Sequence, residues 1–326
     1  MSIGSLGRRA LLRVIVATAA SGAALASTGC AYKQLAPIIG YSPPLFEATH
    51  PDRPATVRLF GSIHAGLPRF YPLPDSIERA YAASARVAIE MDAAKHHAAL
   101  RRAVAPMSLY EPGQSLETAI SPKLLTELRD YYRYDLHEWR QVRMMKPWAI
   151  ALSMVSADDA NLAATGSEGI ESHVLARAGR DRKPVHELET AAEQAFAFAG
   201  GTLSEQEAVL ALRLEQVRSF DKTFSRIIDA WRVGDDRQLA ALKLHAYPLQ
   251  GPVAGNHRRI FSDRDQRMAE RLDRLAAEPG DRFVVVGAFH LAGDDSMIHR
   301  LRAMGWKVRR VNDAQRGYGP QQLALN

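Results

Sequence analysis

The amino-acid sequence predicts an α/β fold: a central mixed or mostly parallel sheet with flanking helices and a helical cap inserted in the middle. Three observations carry this. Short β-like runs recur between long helical stretches, an alternation that builds a sheet covered by helices. One run, "DRFVVVGAFH", is continuously apolar and β-branched, as a strand buried on both faces must be. The helical stretch in the middle of the chain is too long for simple crossovers, so a cap is expected at about residues 100–250.

Along the chain, "TVRLFGSIH" reads as the first strand. A helix in "PDSIERAYAAS", with Asp75 as its expected N-cap, leads to the second, "ARVAIEMD". Helical patterns run roughly over 115–160, 168–179, 190–246 and 257–277, with "KPVHEL" as a third strand among them. The stretch from Leu203 onward repeats apolar residues at three- and four-residue spacing. "DRFVVVGAFH" is the fourth strand, and "WKVRRV" the last, after a helix that stops at Gly305. The domain is expected over 55–315, with a short tail at 316–326.

The first thirty residues differ in kind. Arg8, Arg9 and Arg13 precede an Ala-rich apolar run from Val14 to Ala26, the composition of an export signal over 1–29. "GRRALLR" resembles a twin-arginine motif, and "STGC" resembles a lipoprotein cleavage box that would leave Cys30 as a lipidated first residue. Cleavage after Ala26 is the alternative. Cys30 is the only cysteine, which excludes an intramolecular disulfide and reserves the one thiol for acylation. Residues 30–54, rich in proline, read as a tether. The expected destination is the periplasm, with a membrane anchor through Cys30. Removing three arginines and no acid lowers the formal charge from +6 to +3, too small a surplus for a nucleic-acid binder.

Candidate chemistry collects where strands end, since the C-terminal strand ends of an α/β sheet line its ligand crevice. Gly61-Ser62-Ile63-His64 and Gly287-Ala288-Phe289-His290 share the pattern Gly-x-x-His, and the second strand ends in Glu90. Glycine there lets the chain turn and lets a ligand approach. Two imidazoles and a carboxylate suit a metal site, and equally a general acid/base pair. Glu189, just past the third strand, is placed to reach the same crevice. Glu171 starts a helix, where a carboxylate is favoured by the dipole regardless of function. His186 and Glu187 do not form a zinc-binding His-Glu-x-x-His, because Thr190 stands where the second histidine is needed. His96, His97 and His137 read as surface, and His299 as packing or surface. Arg264 and Arg267 are expected on a solvated helix face, with an anion clamp as the alternative. The chain has no dinucleotide fingerprint, no P-loop and no nucleophile elbow.

"VRLFGSIHAGLPRFYPLPDSIERAYAASARVAIEMD", "GIESHVLARAGRDRKPVHELETAAEQ" and "SDRDQRMAERL" through "DRFVVVGAFHLAGDDSMIHRLRAMGWKVRRV" together resemble the TraB/GumN family over roughly 55–311. The resemblance implies a metal-dependent protease of TIKI type using manganese or cobalt, with zinc a further option. It places His64, Glu90 and His290 at the metal, Glu90 and Glu189 in catalysis, and Gly61, Gly287, Glu171 and Arg264 around them. The substrate would be a peptide or protein. Glu171 stands where the family has Asp, and Asp265 where it has Asn. More distant likeness, to erythromycin esterases and ChaN-type haem-binding lipoproteins, implies two alternatives: a metal-free His/Glu hydrolase, or a non-catalytic lipoprotein that binds haem, metal or peptide.

Overall fold

The apolar runs assemble into one six-stranded sheet of order β4-β3-β5-β2-β1-β6. The structure, a computed structural model, describes residues 42–63, 70–133, 135–154 and 169–311. The export signal, Cys30, most of the tether, His64 and the tail lie outside the described residues.

The strands are β1 (Leu45–Thr49), β2 (Val57–Ser62), β3 (Arg86–Ile89), β4 (Val185–Glu187), β5 (Arg282–Gly287) and β6 (Lys307–Arg310). β4, β3, β5 and β2 are parallel, and β1 runs antiparallel to both β2 and β6. β5 occupies the middle with all residues from Arg282 to Val286 buried, as its continuous apolar run requires. Edge strands β4 and β6 are short and partly exposed, with charged or polar residues that discourage further pairing.

Two expectations change here. Leu45–Thr49 lies in the segment read as a tether, yet it is a strand. Its sequence, "LFEAT", is too short to show periodicity, and its strand state comes from pairing with β2 and β6. Asp75 is the first residue of its helix rather than the cap, a position held by Pro74, with no side-chain capping bond.

Helices cover both faces. One face holds Phe60, Ile89, Phe283 and Val285 against α1 (Asp75–Ala82), α5 (Ile170–Arg180), α8 (Phe220–Val233) and α9 (Asp236–Ala246). The other holds Leu59, Ala88, Val284 and Val286 against α10 (Asp263–Leu275) and α11 (Met297–Ala303). The cap has its own core, built by α2 (Ala93–Ser108), α3 (Pro122–Tyr131), α4 (Leu136–Val142), helical residues 147–154, α6 (Ala191–Ala199) and α7 (Leu203–Val217). The long helical stretch expected over 190–246 is four helices. Gly201 and Gly234 sit at its breaks with φ of 97° and 65°, conformations that end a helix and suit glycine. Among the described residues no helix is long and apolar enough to cross a membrane.

Candidate active site

The parallel strands deliver their C-terminal ends to one edge of the sheet. β2 ends at Ser62, β3 runs into Glu90, β4 into Glu189, and β5 into a 3-10 turn Ala288–His290. The β3–β4 ladder continues past the strands, Leu188 N–H donating to Ile89 O and Glu189 N–H to Glu90 O, both at 2.8 Å. That continuation brings the two glutamates side by side.

A helix supplies the group that grips them. A π-helical turn, Arg258–Ser262, leads directly into α10, and its extra residue rotates the succeeding turn by about 100° relative to an unbroken α-helix. Arg264 and Asp265, adjacent in the first turn of α10, both point inward and are buried. Arg264 Nε donates to Glu189 Oε1 and Oε2 at 2.9 Å, and Nη2 to Glu189 Oε2 at 2.6 Å. The same Nη2 reaches Glu90 Oε2 at 2.8 Å, and Nη1 donates to Ile260 O at 3.1 Å. Arg264 is therefore no solvated face: its side chain is 4% exposed and that of Glu189 0%. Burial alone would lower the Arg264 pKa, but Glu90 and Glu189 outweigh it and hold the guanidinium above its ordinary value.

Asp265 takes the other strand end. Its Oδ1 lies 2.5 Å from His290 Nδ1, while Oδ2 is buried with no partner. Burial pushes the Asp265 carboxyl up, against the opposing pull of His290, Lys243 and Arg264. The Phe261 ring lies 5.2 Å from that of His290, centroid to centroid, and walls it on one side. With Nδ1 engaged by Asp265, His290 presents Nε2 to Glu90 Oε1 at 3.7 Å, too far for a direct hydrogen bond. Glu90 Oε1 also accepts the Gly287 N–H at 2.6 Å.

The two glycines differ despite their matching motifs. β2 and β5 are neighbours, but Gly61 pairs with Val286 and Gly287 with Ser62, so the motifs are offset by one residue and the glycines face opposite sides of the sheet. A Cβ on Gly61 would meet Ala288 Cα and Pro44 Cβ at 3.1 Å, so its glycine serves close packing. A Cβ on Gly287 would stand 3.4 Å from Glu90 Oε1 and 3.6 Å from His290 Cδ2, inside the crevice. Glu171, partly exposed in the first turn of α5, accepts from Ser62 Oγ at the end of β2.

Glu90, Glu189, Arg264 and His290 thus meet in one cluster, and Glu171 stands at the neighbouring strand end. His96 instead pairs with Glu187 at 2.6 Å, and His173 stacks on Tyr71 with centroids 4.4 Å apart. Beside the cluster is a group that sequence reading missed. Lys243 and His257, both fully buried, hold Asp295: Lys243 Nζ at 2.7 Å from Oδ1 and His257 Nε2 at 2.6 Å from Oδ2. His257 Nδ1 faces Tyr247 O at 2.5 Å. The signal available was "GDD" shortly after His290; nothing in sequence ties it to Lys243 or His257.

Among the described residues no group of three or more His, Cys, Asp or Glu is disposed to hold a metal ion. Two donors are nonetheless compatible with one. His290 Nε2 and Glu90 Oε1 face each other at a separation that two ligands of one cation can adopt, and the carboxylate behind His290 Nδ1 is the support a metal-bound imidazole receives. A third donor from His64 falls outside the described residues.

An α/β domain whose parallel strand ends carry a buried carboxylate–guanidinium–imidazole cluster is the class of protein this defines. The chain belongs to the TraB/PrgY/gumN family, whose model matches residues 44–310. No curated protein and no solved structure matches it significantly.

Proposed function

We propose that the chain is an exported metal-dependent hydrolase acting on peptide bonds, with Glu90 and His290, joined by His64, holding a divalent manganese, cobalt or zinc ion. The observation that carries this reading is the facing pair His290 Nε2 and Glu90 Oε1, each fastened from behind by Asp265 or Arg264. A bound divalent ion would polarise the scissile carbonyl and lower the pKa of a water. The remaining work falls to the chain's own groups. Asp265 sets the ring orientation of His290 and leaves Nε2 toward the crevice. Arg264 fixes Glu90 and balances its charge. The resemblance implies a catalytic role for Glu189, but both its oxygens are engaged by Arg264 and its side chain is fully buried. Its role in this reading is to hold Arg264. Glu171, partly exposed beside Ser62 at the neighbouring strand end, is the carboxylate to which this reading gives the proton.

The test is metal analysis and peptide hydrolysis of purified protein beside His290→Ala and Glu90→Gln. Both variants should fold, lose stoichiometric divalent metal and lose hydrolysis. Metal-free wild-type protein, or unchanged hydrolysis in His290→Ala, would refute the reading. The short Asp265–His290 contact favours one alternative, a metal-free hydrolase in which His290 is the acid/base. Full activity in strong chelator would select it. The N-terminal sequence supports a periplasmic, Cys30-anchored lipoprotein in contact with the membrane. Release of Cys30→Ser from the membrane fraction tests that, and unchanged fractionation would refute it.

A further inference from the structure

Away from the strand ends, a cavity of 530 Å³ opens between the helical run beginning at Ala254 and the side of α11. Its size is that of a small-molecule site. Ala254, Arg258, Ser262 and Gln266 line it at four-residue spacing, so one continuous face of the run through the π turn and into α10 forms the wall. Arg300, from α11, closes the opposite side, and Leu249 contributes an apolar surface that is 50% exposed.

The two arginines in this cavity form no ion pair among the described residues. Other arginines near these helices do find carboxylates: Arg259 pairs with Glu205, Arg271 with Glu193, Arg310 with Asp236. Among the described residues, Arg258 and Arg300 have no carboxylate in ion-pair range, although Asp263 lines the same cavity. Among the described residues Arg300 Nε is buried without a hydrogen-bond partner, as are the Nε atoms of Arg259, Arg267, Arg282 and Arg310, but of these five arginines only Arg300 lines the cavity. A buried donor without a partner is costly, and a ligand oxygen is what would satisfy it. Ser262 adds a hydroxyl anchored to Asp295 Oδ2 at 3.3 Å. Gln266 donates to Glu270 at 2.7 Å, which leaves its side-chain oxygen open to a ligand hydroxyl or amide.

We propose that this cavity binds a small organic oxyanion, a carboxylate or phosphate monoester with a short apolar body. The anion lies between the Arg258 and Arg300 guanidinium forks, and the body rests on Leu249 and Ala254. Guanidinium forks match carboxylate and phosphate oxygens alike, so the head group is shared chemistry that experiment must divide. The site is separate from the strand-end cluster and stands whether or not the chain is a hydrolase.

The test is calorimetric titration of the full chain with inorganic phosphate and, separately, with succinate, at constant ionic strength set by chloride. At least one anion should bind saturably at one site per chain, and the one that binds identifies the head group. Arg300→Gln should weaken binding about tenfold or more, the value of one charge-assisted pair. Arg258→Gln, on an exposed side chain, should weaken it in the same direction and serves if Arg300→Gln does not fold. Lys307→Gln, exposed and outside the cavity lining, should leave it unchanged. Absence of saturable binding of both anions, or equal binding by wild type and the arginine variants, would overturn the proposal.

Discussion

Arg264 offers the sharpest test of the cluster. Replacing it by Met keeps a long flexible side chain and removes the cation. Glu189, whose side chain is 0% exposed, would then lose every hydrogen bond to its carboxylate that Arg264 provides. Glu90 would suffer less, since it is 14% exposed and keeps the Gly287 N–H. Breaking a buried pair from one side costs about 3–5 kcal/mol, because the remaining charge is stranded. At roughly 2–4 °C per kcal/mol, the melting temperature should fall by on the order of 10 °C. Urea unfolding monitored by circular dichroism at neutral pH measures the cost directly. The penalty should shrink in acid, where the stranded carboxylate takes up a proton. Arg264→Met combined with Glu189→Gln should recover a substantial part of the loss. A cost below about 1 kcal/mol at neutral pH, or no recovery in the double variant, would refute the reasoning, because a pair so buried cannot be neutral when half of it is removed.

The same geometry sets other outcomes. Gly61→Ala should destabilise by about 1–3 kcal/mol, since its Cβ would press on backbone at 3.1 Å; a measured change near zero would contradict the close approach. Gly287→Ala should fold with a change below roughly 1 kcal/mol, because its contacts would be ordinary, yet lose metal and hydrolysis as the methyl enters the crevice. Burial pushes the Asp295 carboxyl up, but hydrogen bonds from His257 and Lys243 outweigh it and hold it below the usual carboxylate range. A depressed folded-state pKa stabilises above the unfolded value and loses that contribution as pH falls through the folded one. Wild-type stability should therefore drop in strong acid more steeply than that of Asp295→Asn. At neutral pH that variant should be less stable by about 3–5 kcal/mol, having left Lys243 and His257 buried without an anion, and parallel pH profiles would count against the assignment.

The strand-end glutamates and His290 were legible because the sheet dictates where strand ends go. An apolar run that gives way to glycine and a polar residue marks its own C-terminus, and parallel strands bring such ends to one edge. Arg264 was not legible. It sits in "SDRDQRMAERL", a run of charges that reads as a solvated helix; the apolar stripe Met268, Ala269, Leu272 extends back by four residues onto Arg264 and Asp265, but charged side chains at those two positions read as the stripe's end rather than its continuation. Strand β1 escaped for a related reason: five residues carry too little pattern, and their state is set by two partners distant in sequence.

By itself, then, the sequence determined the α/β class, the central strand and the strand-end residues, all properties of local composition and period. Only the tertiary structure decided which charges pair with one another. Arg264 against Glu189, Asp265 against His290, and Lys243 and His257 against Asp295 join residues 75, 25, 52 and 38 positions apart. Burial makes those pairings obligatory, because an ion removed from water must find its counter-charge wherever the fold has placed it.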